Sequence, residues 1–175
     1  FQHRIIGLAG ELSHPRLGLT AKTFDLLADE LDVIVHNGGA TNEFDPYSRL
    51  APINVGGAKH ILQLAASGSR VTPVHFVSTA SVVASRGSNP PIIWEKTRLT
   101  IDAVEDTGYV QSKWVAEELM HSAAARGLPV TIHRPGRVSG HSLTGFCSTS
   151  IGFWHFIRSM LVLQAAPSLR SDHLT

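Results

Sequence analysis

The residue types and spacing with the clearest chemical potential are Tyr109 and Lys113, in the segment Tyr109-Val-Gln-Ser-Lys113. Residues four apart share one face of a helix, so a helix here would bring a phenol and an ammonium together. A free phenol has a pKa of ~10 and is a poor acid at neutral pH, but a nearby positive charge stabilises the phenolate and lowers that pKa. The pair therefore predicts a proton donor to an oxygen atom that gains negative charge.

A second pair of polar residues, Ser78 and Thr79, follows the strand-like run 74–77. The Thr79 hydroxyl could hold the same oxygen in place, with Ser78 as the adjacent candidate. A carbonyl group that accepts a hydride needs this combination of a proton donor and a hydrogen-bond donor. The alternatives are that the hydroxyls only cap exposed backbone at the strand end, and that Tyr109 and Lys113 are exposed residues at a helix start.

Predicted strands and predicted helices alternate along the chain and could position these residues. Short β-branched runs predict strands, and apolar residues at helical spacing predict helices. The strands are predicted at 4–7, 32–36, 74–77 and 130–133, and the helices at 20–31, 53–66, 109–126 and 151–164, with a loop over 86–107. Pro52 is expected in a first helical turn. This alternation indicates a parallel sheet with helices on both faces.

Composition narrows the class of protein. The 175 residues are 43% hydrophobic with a net charge of +1, which fits a globular α/β protein and predicts neither a nucleic-acid nor a membrane partner. No apolar stretch reaches membrane-spanning length. Cys147 is the only cysteine, so a disulfide framework is excluded and the cytoplasm is the default location.

No metal site is predicted from the sequence. Neither His-Glu-x-x-His nor Cys-x-x-Cys occurs among its residues. His36, His133 and His141 lie near strand ends, where we expect core or supporting residues rather than ligands.

A motif typical of nucleotide-binding sheets is missing. No Gly-x-Gly-x-x-Gly follows the first predicted strand. Gly140 and Gly145 have the spacing of a phosphate-binding loop, but Phe146 stands where that loop has lysine. Either the fold binds no dinucleotide, or the chain begins after the glycine-rich loop.

The motifs, taken together and in order, resemble the extended short-chain dehydrogenase/reductase superfamily. They are most similar to the thioester reductase domains of nonribosomal peptide synthetases, polyketide synthases and carboxylic acid reductases. The motifs are Gly10-Glu-Leu12, Pro15-Arg-Leu-Gly-Leu19, Asn37-Gly-Gly-Ala40, Asn54-Val-Gly-Gly57, His75-Phe-Val-Ser-Thr79, Gly108-Tyr-Val-Gln-Ser-Lys113 and Arg134-Pro-Gly136. The resemblance extends from about Ile5 to about Pro167.

This resemblance implies a Rossmann-like, doubly wound parallel sheet that is incomplete. The first βαβ unit with its glycine-rich loop and most of the C-terminal substrate subdomain would be missing. Residues 1–140 would be a partial dinucleotide-binding domain, and 141–175 the start of the substrate subdomain. The strand at Ile5 would then pair directly with the strand at Ile34 or be loosely held, and the Ile34 strand would expose an edge.

The resemblance also implies a site. Thr79, Tyr109 and Lys113 would be catalytic, and Lys113 would also hold the ribose of the cofactor. The cofactor-binding residues would be Glu11, Leu12, Asn37, Gly38, Gly39, Asn54, Ser78, Lys113, Pro135, Gly136 and Val138. Asn54 would link a proton path to Lys113, or else cap a helix start. The alternative for the turn glycines is turn chemistry alone.

The implied reaction is reduction of an acyl or peptidyl thioester, carried by a phosphopantetheinyl carrier domain, to an aldehyde and in some relatives to an alcohol. The family generally uses NADPH, and NADH is not excluded. The alternatives are another extended reductase or epimerase, acting on acyl-CoA or a nucleotide sugar, and a catalytically dead truncated module. The fragment alone is expected to turn over negligibly, because the pyrophosphate lacks its helix N-terminus.

Overall fold

A computed structural model describes residues 2–84, 92–148 and 152–168. The chain divides into two compact units, Phe1–Gly136 and Arg137–Thr175. In the part of the second unit that the structure describes there is one helix, α4, at Gly152–Leu163, close to the predicted range. The first unit contains the sheet and the remaining α-helices. The functional roles predicted for the two parts of the chain stay predictions.

The sheet consists of three parallel strands in the order β1-β2-β3. They are β1 at Ile34–His36, β2 at Val74–Val77 and β3 at Val130–His133. Ile34 pairs with Val74, and Val74 pairs with Val130, so the strands begin at one level. The predicted parallel, Rossmann-like α/β architecture is confirmed.

Three helices cover these strands: α1 at Ala21–Glu30 precedes β1, α2 at Tyr47–Ser67 connects β1 to β2, and α3 at Gly108–Ala125 connects β2 to β3. Threonine side chains cap two of them. The Thr20 hydroxyl accepts from the Thr23 amide and the Thr107 hydroxyl from the Val110 amide, each at 3.2 Å. Such caps satisfy amides that have no partner within the helix.

All three helices pack on one face of the sheet. The shared core holds Phe24, Ala28, Ile34, Ala58, Ile61, Leu64, Ala65, Val74, Phe76, Ala116 and Met120. Successive side chains of a strand point to opposite faces, so the residues between them lie on the other face. There Val35 is 65% exposed, and Thr131 and His133 are also exposed. The prediction placed helices on both faces; within the described part of the first unit they cover only one.

The predicted strand at 4–7 is wrong. Gln2–Arg4 form a short 3-10 turn, and residues 5–10 have no regular structure. Ile5 and Ile6 are 74% and 86% exposed. A strand needs a neighbour for its backbone hydrogen bonds, and no described strand pairs with this segment. Direct pairing with β1 is therefore excluded, and β1 lies at an edge of the sheet as expected.

The start of α2 also differs from the prediction. The helix begins at Tyr47, so Pro52 lies inside it and not in its first turn. Proline in a helix interior removes one backbone donor, here the one that would reach the Ser48 carbonyl. Pro46, with its φ fixed at −67°, provides an earlier start at the N-cap position.

Between β2 and α3 the chain is mostly irregular, as predicted. The described part contains a 3-10 turn at Ile101–Ala103, and residues 85–91 of the predicted loop lie outside the described residues. Among the helices of the described ranges, none has the length and apolar character needed to cross a bilayer.

Candidate active site

Thr79 and Tyr109 meet at the carboxyl end of β2. Thr79 follows the strand, Tyr109 lies in the first turn of α3, and the Thr79 hydroxyl is near enough to the Tyr109 phenol to influence its pKa. The Thr79 hydroxyl also accepts from the Ser81 amide at 3.3 Å and caps the 3-10 turn Ala80–Val83. Thr79 therefore has both the capping role of the alternative and the contact to the phenol that a shared active site requires.

The pKa of Tyr109 is raised above its ordinary value of 10.0. Burial is the main cause and the Glu43 carboxylate adds to it, while the hydrogen bond from Thr79 acts in the opposite direction. The sequence predicted a pKa lowered by Lys113, which is wrong: the Lys113 ammonium is not among the groups that shift Tyr109. The phenol consequently keeps its proton throughout the neutral range.

The Lys113 ammonium is buried under the sheet, and its residue is only 6% exposed. Its Nζ donates to the Val77 carbonyl at 2.8 Å and lies 4.4 Å from the centroid of the Phe76 ring. Burial lowers the pKa of Lys113 from 10.5 to about 8, against the opposing effect of the Glu117 carboxylate. The amine is thus mostly charged at neutral pH, and titrates near it.

Asn54 connects the turn after β1 to the helix that carries the tyrosine. Its Oδ1 accepts from the Ala40 amide at 2.7 Å, and its Nδ2 donates to the Ala40 carbonyl at 2.9 Å and to Ser112 Oγ at 2.8 Å. Ser112 in turn donates to the Tyr109 carbonyl at 2.8 Å. Because Asn54 lies well inside α2, the alternative of a helix-start cap is wrong.

Ser78 points away from Thr79 and into the core. The residue is 5% exposed, and its hydroxyl donates to Glu117 Oε2 at 2.6 Å. Glu117 also receives hydrogen bonds from Arg134 Nε at 2.9 Å and from its Nη2. Sequence reasoning did not single out this carboxylate, although its spacing of four from Lys113 and three from Met120 puts a charge on a buried helix face.

Asn37, Gly38 and Gly39 form the exposed turn that follows β1. A Cβ on Gly38 would lie 2.9 Å from Leu12 Cδ1, and one on Gly39 would lie 3.0 Å from Asn54 Oδ1. Close packing therefore favours glycine at position 39, where hydrogen bonds hold the Asn54 side chain in place, whereas the flexible end of Leu12 can move away from position 38.

Leu12 packs against α2 where the helix has glycine. A Cβ on Gly57 would lie 3.1 Å from the Leu12 Cβ, so the predicted close approach is present at this glycine. A Cβ on Gly56 would have only the Ala51 carbonyl oxygen within 4 Å, at 3.9 Å. Glu11 is exposed, and its carboxylate accepts from the Ser13 amide and hydroxyl at 3.2 and 3.0 Å. These hydrogen bonds lower the pKa of Glu11.

The remaining residues that the sequence predicted to contact a cofactor follow β3 along the chain. Pro135 accepts from the Ala80 amide at 3.0 Å, which links the ends of β2 and β3. A Cβ on Gly136 would meet nothing within 4 Å, so the backbone there faces open space. An adjacent cavity of about 790 Å³ is lined by Val77, Glu95, His121, Ile132, His133, Arg134 and Pro135. Val138, 69% exposed, lies in the second unit.

The three histidines near strand ends have local partners. His36 is 4% exposed, its ring centroid lies 5.6 Å from that of Phe76, and burial lowers its pKa to about 4. His133 stacks on His75 with centroids 5.2 Å apart, and His141 Nδ1 accepts two backbone amides. Across the described ranges no three metal-ligating side chains of His, Cys, Asp or Glu converge.

These residues can deliver a proton to an oxygen atom beside Thr79 and Tyr109, with a buried cation behind β2. The carboxyl edge of the sheet also has room for an extended ligand. The exposed glycine turn after β1 and the open backbone at Gly136 are small-residue surfaces of the kind that dinucleotides approach closely in α/β sheets. The residues present therefore fit a nicotinamide cofactor.

Comparison with known proteins shows similarity to a family of NAD-binding proteins and to reductases. A family of NAD-binding proteins, described as "Male sterility protein", matches residues 1–174. The chain is 42% identical over 171 residues to a linear gramicidin synthase of Brevibacillus parabrevis, covering 97% of this chain and 3% of that protein. It is 41% identical over 163 residues to a glycine betaine reductase of Emericella nidulans, covering 91% and 12%.

Solved structures show the same similarity. The terminal R domain from the myxalamid PKS-NRPS biosynthetic pathway superposes with a TM-score of 0.89 at 41% identity, over 97% of this chain and 42% of that one. A thiolation-reductase di-domain from an archaeal non-ribosomal peptide synthetase has a TM-score of 0.77 at 24% identity, over 95% and 35%, and supports the fold alone. The chain thus spans less than half the length of each of these proteins.

Proposed function

Because the chain belongs to the thioester reductase domains of the extended short-chain dehydrogenase/reductase superfamily, we propose that its protein reductively releases a carrier-bound acyl or peptidyl thioester as an aldehyde. The observation that carries this proposal is that the hydroxyls of Thr79 and Tyr109 lie next to each other at the carboxyl end of β2. Reduction of a carbonyl at this point needs a proton donor and an oxyanion partner, and the pair supplies both.

Tyr109 gives its phenolic proton to the thioester carbonyl oxygen as negative charge develops there. The raised pKa of the phenol keeps that proton in place at neutral pH. The Thr79 hydroxyl donates a hydrogen bond to the same oxygen. A bound nicotinamide supplies the hydride. The hydroxyl of the resulting thiohemiacetal returns its proton to the Tyr109 phenolate as the C–S bond breaks, so the carrier leaves as a thiolate and an aldehyde remains.

NADPH is the cofactor that we propose, by family resemblance. Lys113 holds the ribose hydroxyls, Glu11 and Leu12 contact the adenine, and Asn37, Gly38, Gly39 and Asn54 line the turn after β1. Ser78, Pro135, Gly136 and Val138 complete the proposed contacts. Support comes from the residues that directly follow the carboxyl ends of β1, β2 and β3, where open α/β sheets bind ligands: Asn37, Gly38, Gly39, Ser78, Pro135 and Gly136.

The proposed partner is a phosphopantetheinyl carrier domain. Two relatives among peptide synthetases carry names that describe assembly of peptides or lipopeptides. A thioester on a carrier is the form in which such chains are held, so a reductase acting on it would need no free acyl substrate. A further reduction of the aldehyde to an alcohol would use the same pair of hydroxyls in a second step.

Replacement of Tyr109 by Phe in the complete protein tests the proposal. The variant keeps the ring but loses the proton, so we expect kcat for reduction of a carrier-bound acyl thioester to fall about 10²- to 10⁴-fold. The dissociation constant for NADPH, measured by fluorescence titration, should stay unchanged. Tyr47→Phe is the matched control and should keep the wild-type kcat, since Tyr47 is the other of the two tyrosines and is exposed. A wild-type rate in Tyr109→Phe would exclude Tyr109 as the donor.

A further inference from the structure

A buried polar cluster centres on Glu117, one helical turn after Lys113 in α3. Glu117 is 4% exposed, and both of its carboxylate oxygens have partners. Oε2 accepts from the Ser78 hydroxyl at 2.6 Å, and Oε1 accepts from Arg134 Nε at 2.9 Å and from Arg134 Nη2. His121 Nε2 lies 3.6 Å from Oε1. The carboxylate is thus enclosed by donors from two other segments.

A buried carboxylate is costly to fold. Removing an ion pair from water carries a desolvation penalty that its mutual attraction often fails to repay, so such a pair is weak grounds for stability. Glu117 lies on the helix face that also buries Ala116 and Met120, where an apolar side chain would avoid this cost. Because the carboxylate is not explained by stability, its partners indicate its role.

Glu117 joins three segments that carry proposed catalytic or cofactor residues. Ser78 directly precedes Thr79, and Arg134 directly precedes Pro135. The helix of Glu117 itself carries Tyr109 and Lys113.

The same arginine also reaches the loop before α3. Arg134 Nη1 donates to the Thr97 carbonyl at 2.9 Å and to the Glu95 carbonyl at 3.3 Å. A displacement of the carboxylate would therefore move the ends of β2 and β3 relative to α3.

Glu117 also determines the electrostatic surroundings of Lys113. The ammonium faces the Val77 carbonyl and the Phe76 ring from β2, and His36 from β1. His36 is neutral above its pKa of about 4, so it contributes no negative charge. Among the groups that shift Lys113, Glu117 is the one that favours its charged form.

We propose that Glu117, clamped by Arg134 and Ser78, is a positioning residue of this site. It fixes Thr79 relative to Tyr109 and places a negative charge one helical turn from the Lys113 ammonium, on the same buried face of α3. The effect on turnover rests on the proposed function, whereas the effect on Lys113 does not.

The first experiment measures Lys113 directly in the 175-residue chain. The chain has four lysines, so side-chain ¹³Cε and ¹⁵Nζ resonances can be titrated one by one, with Lys113→Arg assigning the signal. In Glu117→Gln the midpoint of Lys113 should fall below the wild-type value of about 8, because the opposing carboxylate charge is gone. Glu118→Gln is the control: Glu118 is the neighbouring carboxylate and pairs with Arg98 at the surface. Equal midpoints in Glu117→Gln and wild type would overturn the electrostatic half of the proposal.

The second experiment separates charge from position in the complete protein. Glu117→Asp keeps the charge but shortens the side chain, so Lys113 should titrate near its wild-type midpoint while kcat falls about 10- to 100-fold, with KM for NADPH little changed. Glu118→Gln should retain the wild-type kcat. A wild-type kcat in Glu117→Asp would overturn the positional half. Absence of thioester reduction in the wild type would contradict the proposed function and leave the titration result standing.

Ser78→Ala covers the case in which the Glu117 variants do not fold. It removes one hydrogen bond to the carboxylate and leaves the ion pair with Arg134. We expect a native amide spectrum, an unchanged Lys113 midpoint and a reduced kcat. A wild-type kcat in this variant would show that Ser78 does not transmit the position of Glu117 to Thr79.

Discussion

The side-chain amide of Asn54 lies 2.8 Å from the Ser112 hydroxyl and so joins α2 to α3 inside the core. Both residues are almost fully buried, at 3% and 0% exposure. The remaining polar atoms of Asn54 bond to both backbone groups of Ala40, in the turn after β1. A single side chain therefore links the turn proposed to bind the cofactor with the first turns of the helix that carries Tyr109.

Asn54→Asp should destabilise the chain. The aspartate has the same shape but no amide hydrogens, so the Ala40 carbonyl and Ser112 hydroxyl each lose a donor in the core. We expect the free energy of unfolding to fall by about 1–3 kcal/mol, measured by urea denaturation. Asn37→Asp, at an exposed position, should change it by less than about 0.5 kcal/mol. Similar values for the two variants would mean that the bonds of Asn54 do not stabilise the core.

Local sequence patterns were sufficient to predict the fold where an element has its own signal. β2 and β3 coincide with the apolar runs at 74–77 and 130–133, and α1 begins after its threonine cap. The segment at Ile5 carries an equally apolar pattern but forms no strand. Strand formation depends on a neighbour that supplies hydrogen bonds, and a single-segment pattern contains no information about that neighbour.

The candidate site shows the same division between local and long-range information. The motif residues Thr79 and Tyr109 lie close together at the end of β2, while their catalytic roles stay predictions. The prediction that Lys113 lowers the pKa of Tyr109 was wrong. Spacing on a helix determines which face two residues share, but not where the end of a long flexible side chain lies. The Lys113 ammonium bonds to the Val77 carbonyl of β2. Glu117 was missed because its partners, Ser78 and Arg134, are far from it in sequence.

Alkaline pH should stabilise the wild type relative to Lys113→Met. The pKa of Lys113 is about 8 in the folded chain and 10.5 ordinarily, so between these values the unfolded chain binds one more proton than the folded one. Stability then rises with pH across this window, by up to roughly 3 kcal/mol. The difference in free energy of unfolding between the two proteins should grow from pH 7.5 to 10.5, in urea titrations. Lys59→Met, at an exposed lysine, should follow the wild type. Parallel curves for wild type and Lys113→Met would contradict the shifted pKa.

Acid pH should destabilise the wild type through His36. Burial holds the pKa of His36 at about 4 in the folded chain against 6.5 ordinarily. As pH falls from 6.5 to 4 the unfolded state gains a proton that the folded state does not, so stability declines by up to roughly 3 kcal/mol. His36→Gln should remove this part of the decline in denaturation curves recorded over that range. His14→Gln, at an exposed histidine, should retain it; the reverse pattern would rule out His36 as the cause.

Two glycines of the site region should respond in opposite directions to alanine. A Cβ on Gly108 would lie 2.4 Å from the Asp45 carbonyl oxygen and 2.5 Å from the Tyr47 amide nitrogen, both backbone atoms that cannot rotate away. Gly108→Ala must therefore separate the starts of α2 and α3, at a cost of about 1–3 kcal/mol or more, and displace the adjacent Tyr109. Gly56, inside α2, has its nearest atom at 3.9 Å, so Gly56→Ala should stabilise the chain by about 0.5–1 kcal/mol. Thermal and urea unfolding of both variants tests this pair, and a neutral Gly108→Ala would show that the two helix starts do not touch as described.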